Sequence, residues 1–182
     1  WFQAKHWLSD LPSTAFTLDD GAGRIRQFGR LALAKDILGQ ETHSRVWGAL
    51  RKAIDSVRPA TSPDRKLEII IVGSLAGSTG SGSFIDIALI LRMLAEELGV
   101  QYVLRGFFAL PHAITATPNS EMMARSFAAW RELNRFMVAN TEFPMPKIRY
   151  IQQYDRFHYR PSNRLFDACY LVDGRRDAKP VP

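Results

Sequence analysis

Leu67, Ile69, Ile70, Ile71 and Val72 make a short, β-branched and almost continuous apolar run. A run of this length and composition predicts a strand buried on both faces, as in a parallel sheet. The period then changes. Phe84, Ile87, Ala88, Leu91, Leu94, Ala95 and Leu98 recur at helical spacing, which predicts a helix from about Ser83 to Leu98 with Gly99 as its C-cap. Val100 to Leu110 reads as a second core strand closed by Pro111, completing a strand–loop–helix–strand unit whose crossover should be right-handed. Ala168 to Val172 reads as a third core strand.

Upstream, Ile25, Phe28, Leu31, Ala32 and Ile37 predict a helix ended by Gly39. Val46, Leu50, Ala53, Ile54 and Val57 predict another over 43–57, stopped by Pro59, with a turn over 60–65. Downstream, Asn119 or Ser120 can cap a long helix reaching about Met137, with Met123, Phe127, Trp130 and Leu133 among its apolar positions. Residues 1–20 are irregular, and 139–165 read as an irregular insertion with a short strand at 148–154. Alternating strands and helices predict an α/β fold, a three-layer sandwich around a mainly parallel sheet.

A chain of 182 residues falls within one domain, and 46% apolar with 23% charged residues is a globular balance. The single cysteine, Cys169, excludes an internal disulfide and reads as an inert core residue, which fits a reducing, cytoplasmic compartment. No stretch approaches the roughly 18 apolar residues of a membrane span. The start at Trp1 lacks both a signal peptide and an initiator methionine, so the chain reads as a segment of a longer protein. The net charge of +6 comes from basic residues scattered along the chain, not from a block, so a nucleic-acid surface is not indicated. His6, His43, His112 and His158 have no metal-ligand spacing, and no metal site is expected from them. Met122, Met123 and Met137 read as core, and Trp1, Trp7, Trp47 and Trp130 as packing residues.

Chemistry concentrates between the first strand and its helix. Nine of the eleven residues from Gly73 to Ser83 are Gly, Ser or Thr, more than a plain connection needs. Small residues let the backbone approach a ligand, glycines can turn N–H groups inward at positive φ, and a helix N-terminus adds unpaired donors. Thr79, Ser81 and Ser83 would add hydroxyl donors. Phosphate is the expected ligand. A P-loop needs Lys-Ser/Thr after Gly77-x-x-x-x-Gly82, but Ser83-Phe84 stands there; the order Gly77-x-x-Gly80-x-Gly82 also fails the dinucleotide fingerprint.

Ala76-Gly77-Ser78-Thr79-Gly80-Ser81-Gly82 resembles the tubulin/FtsZ signature Gly-Gly-Gly-Thr-Gly-Thr/Ser-Gly, with Ala76 and Ser78 in place of two glycines. Gly21-Ala22-Gly23, before the first helix, is similar to the loop that borders the γ-phosphate in that family. Pro111 matches the proline-ended loop after the next strand, and Glu121-x-x-x-Arg125 has the spacing of the pair that contacts sugar and base. The chain looks closest to the large, divergent bacterial tubulin-like proteins. The resemblance implies that 1–182 are part of one GTPase domain: a core over 20–138, the insertion over 139–165 and a core strand over 166–174. It further implies GTP or GDP with Mg²⁺ as ligand, and hydrolysis only in head-to-tail filaments, where the neighbouring subunit supplies the acids, so that no catalytic residue lies in this segment.

Two departures stand out. The family's first glycine-rich loop would precede Trp1, and its acidic loop would follow Pro182. Asp173-Gly174 stands where the family has a base-reading asparagine, and Asp173 reads either as a guanine contact or as a turn residue. The rival from another class is a tubulin-fold scaffold that does not hydrolyse nucleotide. A remoter rival is a serine hydrolase, since Ala76-Gly77-Ser78-Thr79-Gly80 imitates a nucleophile elbow, with Ser78 served by His112 or by His158 and Asp155.

Overall fold

The computed structural model describes residues 25–39, 44–58, 65–138 and 164–174. Helices α1 (Arg26–Gly39) and α2 (Arg45–Val57) come first. They lead into strand β1 (Leu67–Ser74), helix α3 (Thr79–Glu97) and strand β2 (Tyr102–Ala109). The single turn α4 (Pro111–Ile114), helix α5 (Ser120–Met137) and strand β3 (Ala168–Val172) complete the order. The strands form one parallel sheet in the order β1-β2-β3, with Leu67 opposite Tyr102 and Arg105 opposite Ala168. Parallel pairing brings the carboxyl ends Ser74, Ala109 and Val172 to one edge, where ligands of open α/β sheets bind. The fold is therefore α/β with a parallel sheet, as the alternation predicts.

Helix α3 is the centre of the core. Phe84, Ile85, Ala88, Leu89, Ile90, Leu91, Leu94 and Ala95 are all buried along it, a helix apolar nearly all round because sheet and helices enclose it. Phe108 of β2 packs its ring 4.9 Å from Phe84 and 5.7 Å from Phe166. Gly99 takes φ 66°, and Val100 N–H donates to Ala95 O at 2.9 Å, so the predicted glycine cap closes α3. Arg92, itself buried, donates to Leu165 O at 2.6 Å, while Asp167 Oδ2 accepts from Leu104 N–H at 2.7 Å. These bonds tie the chain entering β3 to α3 and β2.

Several expectations need correction. β1 is not buried on both faces: Leu67, Ile69 and Ile71 turn inward, but Ile70 is 51% and Val72 77% exposed. Tyr170 and Val172 of β3 share that open face, with Tyr170 stacked on Phe107, so among the described residues helices cover one side of the sheet. On α5 the buried stripe is Ser126, Ala129, Leu133 and Phe136; Met123, Phe127 and Trp130 lie exposed. Small side chains at Ser126 and Ala129 take the first half of that stripe, and Leu133, as predicted, with Phe136 the second. On α1 the buried positions are Gly29, Leu33, Ala34 and Ile37, a stripe rotated from the predicted one. The predicted strand at 148–154 and the turn at 60–64 lie outside the described residues.

Cys169 is half-buried, and burial pushes its thiol up to about 11, with a backbone contact at Tyr170 opposing. Asp36 joins α1 to α2: it accepts from the Ser44 hydroxyl at 2.7 Å and from the N–H groups of Val46 at 3.0 Å and Arg45 at 3.3 Å. Partial burial alone would raise its carboxyl, but these donors outweigh it and hold the group below its ordinary value. A carboxyl lowered in the folded state adds stability above its unfolded pKa, and that stability is lost as pH falls through the folded value. Asp36→Asn is therefore expected to be less stable than wild type near neutrality. In urea titrations the gap should close below about pH 3.8, and a gap constant from pH 7 to pH 3 would remove this linkage.

Candidate functional site

Ser74, the last residue of β1, anchors the turn that follows. Its hydroxyl accepts from Ala76 N–H at 3.0 Å and lies 3.4 Å from Ala109 O, while Leu75 N–H donates to Ala109 O at 3.0 Å. Leu75 and Ala76 are buried. The first half of the glycine-rich segment is thus bound to the sheet, and the Ala76 amide is already used.

The second half is helix. α3 begins at Thr79, four residues before the predicted start at Ser83, so Thr79, Gly80, Ser81 and Gly82 form its first turn. Periodicity cannot see a turn made of Gly, Ser and Thr. Ser78 stands at the N-cap with no side-chain capping bond, unlike Ser44, which caps Trp47 N–H at 3.1 Å, and Asn119, which caps Met122 N–H at 2.8 Å. Gly82 N–H donates to Ser78 O at 2.9 Å. The N–H groups of Thr79, Gly80 and Ser81 have no acceptor among the described residues. Three unpaired amides at the positive end of a helix suit an anion.

Two details differ from expectation. Among the described residues only Gly99 has a glycine φ in the left-handed region, so the donors come from the helix end, not from an inverted glycine loop. The hydroxyls of Ser81 and Ser83 turn back, donating to the carbonyls of Gly77 and Thr79, the latter at 2.7 Å. Ser81 offers its amide and not its side chain, leaving Ser78 and Thr79 as the hydroxyls without such bonds.

Glycines on both sides bring α1 onto this turn. A Cβ at Gly82 would sit 2.2 Å from Arg26 O, and one at Gly29 would sit 2.7 Å from Ser78 O. Sequence reasoning missed the polar side chains beside them. Arg26 donates to Ser81 O at 2.9 Å and pairs with Glu132 at 2.7 Å. Arg30 forks onto Asp86 at 2.8 and 3.1 Å. Arg26, Gln27, Arg30, Gly82 and Glu132 line a shallow pocket between α1, α3 and α5. The signal available was the placement of two arginines four residues apart, one helical turn after Gly21–Gly23.

At the same sheet edge Leu110 N–H donates to Val172 O at 2.8 Å, and Pro111 is buried at the start of α4. A Cβ at Gly174 would lie 2.2 Å from His112 O, and Asp173 Oδ1 approaches His112 Nδ1 at 4.0 Å. Pro111, His112 and Asp173 are thus brought together. Glu121 and Arg125 form the expected one-turn pair at 3.5 Å on α5, with Glu121 73% and Arg125 18% exposed. Arg125 Nε is buried with no hydrogen-bond partner among the described residues, a donor still lacking an acceptor. Gly21, Ala22 and Gly23 lie outside the described residues, as do Asp155 and His158.

Ser78 has φ −92° and ψ −52°, ordinary helical values without the strain of a nucleophile elbow. No three His, Cys, Asp or Glu side chains among the described residues are grouped to hold a metal ion. No helix among them is long and apolar enough to cross a membrane. Compared with known proteins, a family model described as tubulin-like matches residues 2–180. No curated protein and no solved structure matches the chain.

Proposed function

The chain belongs to the tubulin-like family, and from that premise we propose that it binds a guanine nucleotide at the carboxyl edge of its sheet. The observation that carries this reading is the row of unpaired amides at Thr79, Gly80 and Ser81. They would hold the diphosphate, with Gly77 leaving the approach open and the hydroxyls of Ser78 and Thr79 free to donate. Gly21–Gly23 would border the terminal phosphate. Glu121 and Arg125 would meet sugar and base, where a ligand acceptor would satisfy the buried Nε of Arg125. Asp173, beside Pro111 and His112, would line the base end.

The described residues fit a diphosphate better than a bare cation. Mg²⁺ would come with the phosphates, held largely by their oxygens and by water. Bound there, it would neutralise charge developing during phosphoryl transfer. The segment's own part is positioning: a preset helix end, glycines that would admit the phosphates and a half-buried anchor at Ser74. Hydrolysis would await a second copy added head-to-tail, a heterologous contact that builds filaments.

Titration of the full-length protein with labelled GTP, GDP and ATP in Mg²⁺ tests the proposal. Saturable binding of GTP and GDP, at least about tenfold tighter than ATP, is the expected result, a difference of about 1.4 kcal/mol. Equal indifference to all three would end the nucleotide reading and favour the scaffold.

A further inference from the structure

Arg26 reaches from α1 into the first turn of α3. Its Nε lies 3.2 Å from Ser81 Oγ and 3.3 Å from Ser81 O, and one terminal nitrogen lies 2.9 Å from the same carbonyl. The other face of the fork meets Glu132 of α5 at 3.2 and 2.7 Å. The Ser81 hydroxyl, accepting from Arg26, donates in turn to Gly77 O. Three helices thus meet at Arg26, and Ser81 in turn bonds the Gly77 carbonyl just before the helix.

We infer that Arg26 is a positioning residue for the phosphate-binding turn, a role that deepens the nucleotide reading and rests on it. The chemistry is in the direction of the Ser81 hydroxyl. A hydroxyl has one proton and two lone pairs, so a guanidinium donating into the oxygen commits the proton to another acceptor. That acceptor is Gly77 O. The hydroxyl thus ties Gly77, which precedes the helix, to the first turn of α3, and Arg26 holds the Ser81 side chain and carbonyl on the other side. Loss of either bond would let the turn that presents the amides shift. With the hydroxyl in place, the helix starts at Thr79 and the Ser81 N–H keeps no partner among the described residues. Glu132 holds the fork in plane, a geometry that lysine cannot supply.

The test uses the full-length protein and the variants Arg26→Lys, Ser81→Ala and the double variant. Affinity for GDP and for inorganic pyrophosphate should fall about tenfold in each single variant. The double variant should lose no more than one of them, because both act through the Ser81 hydroxyl. Hydrogen exchange of the peptide covering 76–84, measured without ligand, should change in both variants, while peptides from α2 and β2 keep wild-type rates. Additive affinity losses, or unchanged exchange over 76–84, would overturn the role. So would a lowered melting temperature with wild-type affinity, the mark of a merely structural contact. If the wild type binds neither probe, the nucleotide reading falls, and the ligand-free exchange still decides whether Arg26 sets the turn.

Discussion

Replacing Arg30 with methionine is expected to lower the unfolding free energy by about 3–5 kcal/mol, the range for stripping a partner from a buried ion pair. Asp86 is completely buried on the central helix, and Arg30 holds both its oxygens, at 2.8 and 3.1 Å. Removing the fork takes two charge-assisted bonds from a carboxylate held in the core, while methionine keeps most of the apolar stem in place. Asp86→Asn should cost less, since its amide oxygen can still accept from Arg30. The double variant Arg30→Met with Asp86→Leu should recover much of the loss, because an apolar pair of similar volume carries no stranded charge. Urea midpoints at a constant m-value measure all three. A loss below about 1 kcal/mol for Arg30→Met would rank the pair with surface bridges.

The same pair explains what the chain did not disclose in one dimension. The contact face of α1 runs through Arg26, Gly29, Arg30, Leu33, Ala34 and Ile37, positions that share one side of a helix. Two of those six are arginines and one is glycine, so a search for apolar residues finds only the lower half of the stripe and rotates it. Their partners, Ser81, Asp86 and Glu132, lie 55, 56 and 106 residues away, and nothing local marks them. On α5 the error has the opposite sign. Large apolar residues attracted the prediction, but Ser126 and Ala129 let the helix approach, and Phe127 and Trp130 pair with each other outside at 5.8 Å.

The existence of β1, β2 and β3, the glycine at positive φ after α3 and the Asn119 cap of α5 were legible, because caps and β-rich runs are written within a few residues; the burial of β1 and β3 was not, since each keeps an exposed face. The open face of β1 was not legible because an apolar run marks both sides of a strand alike, while Ile70 and Val72 lie on the side that no described helix covers. In the candidate site, the glycine-rich segment was visible as composition. Its division into a sheet-bound half and a helical half depends on Ser74 and Gly82, whose contacts are with β2 and α1.

That division separates the glycines of the signature by what they face, and it yields the second large effect. Gly77 has no atom within 4 Å of a Cβ placed on it, and its φ is not in the left-handed region, so nothing in the fold requires glycine there. Gly77→Leu should therefore fold with a melting temperature close to wild type. Its side chain would stand in the open approach to the Thr79, Gly80 and Ser81 amides, and nucleotide affinity should drop about 100-fold, or about 2.7 kcal/mol. Gly82→Ala should behave in the reverse way. Its methyl would meet Arg26 O at 2.2 Å, forcing α1 from α3 at a cost of about 1–3 kcal/mol with or without ligand. Melting curves and GDP titrations of the two variants in the full-length protein decide the matter. If Gly77→Leu binds as wild type does, the phosphates do not pass that glycine, and the amides behind it serve some other purpose than the one proposed.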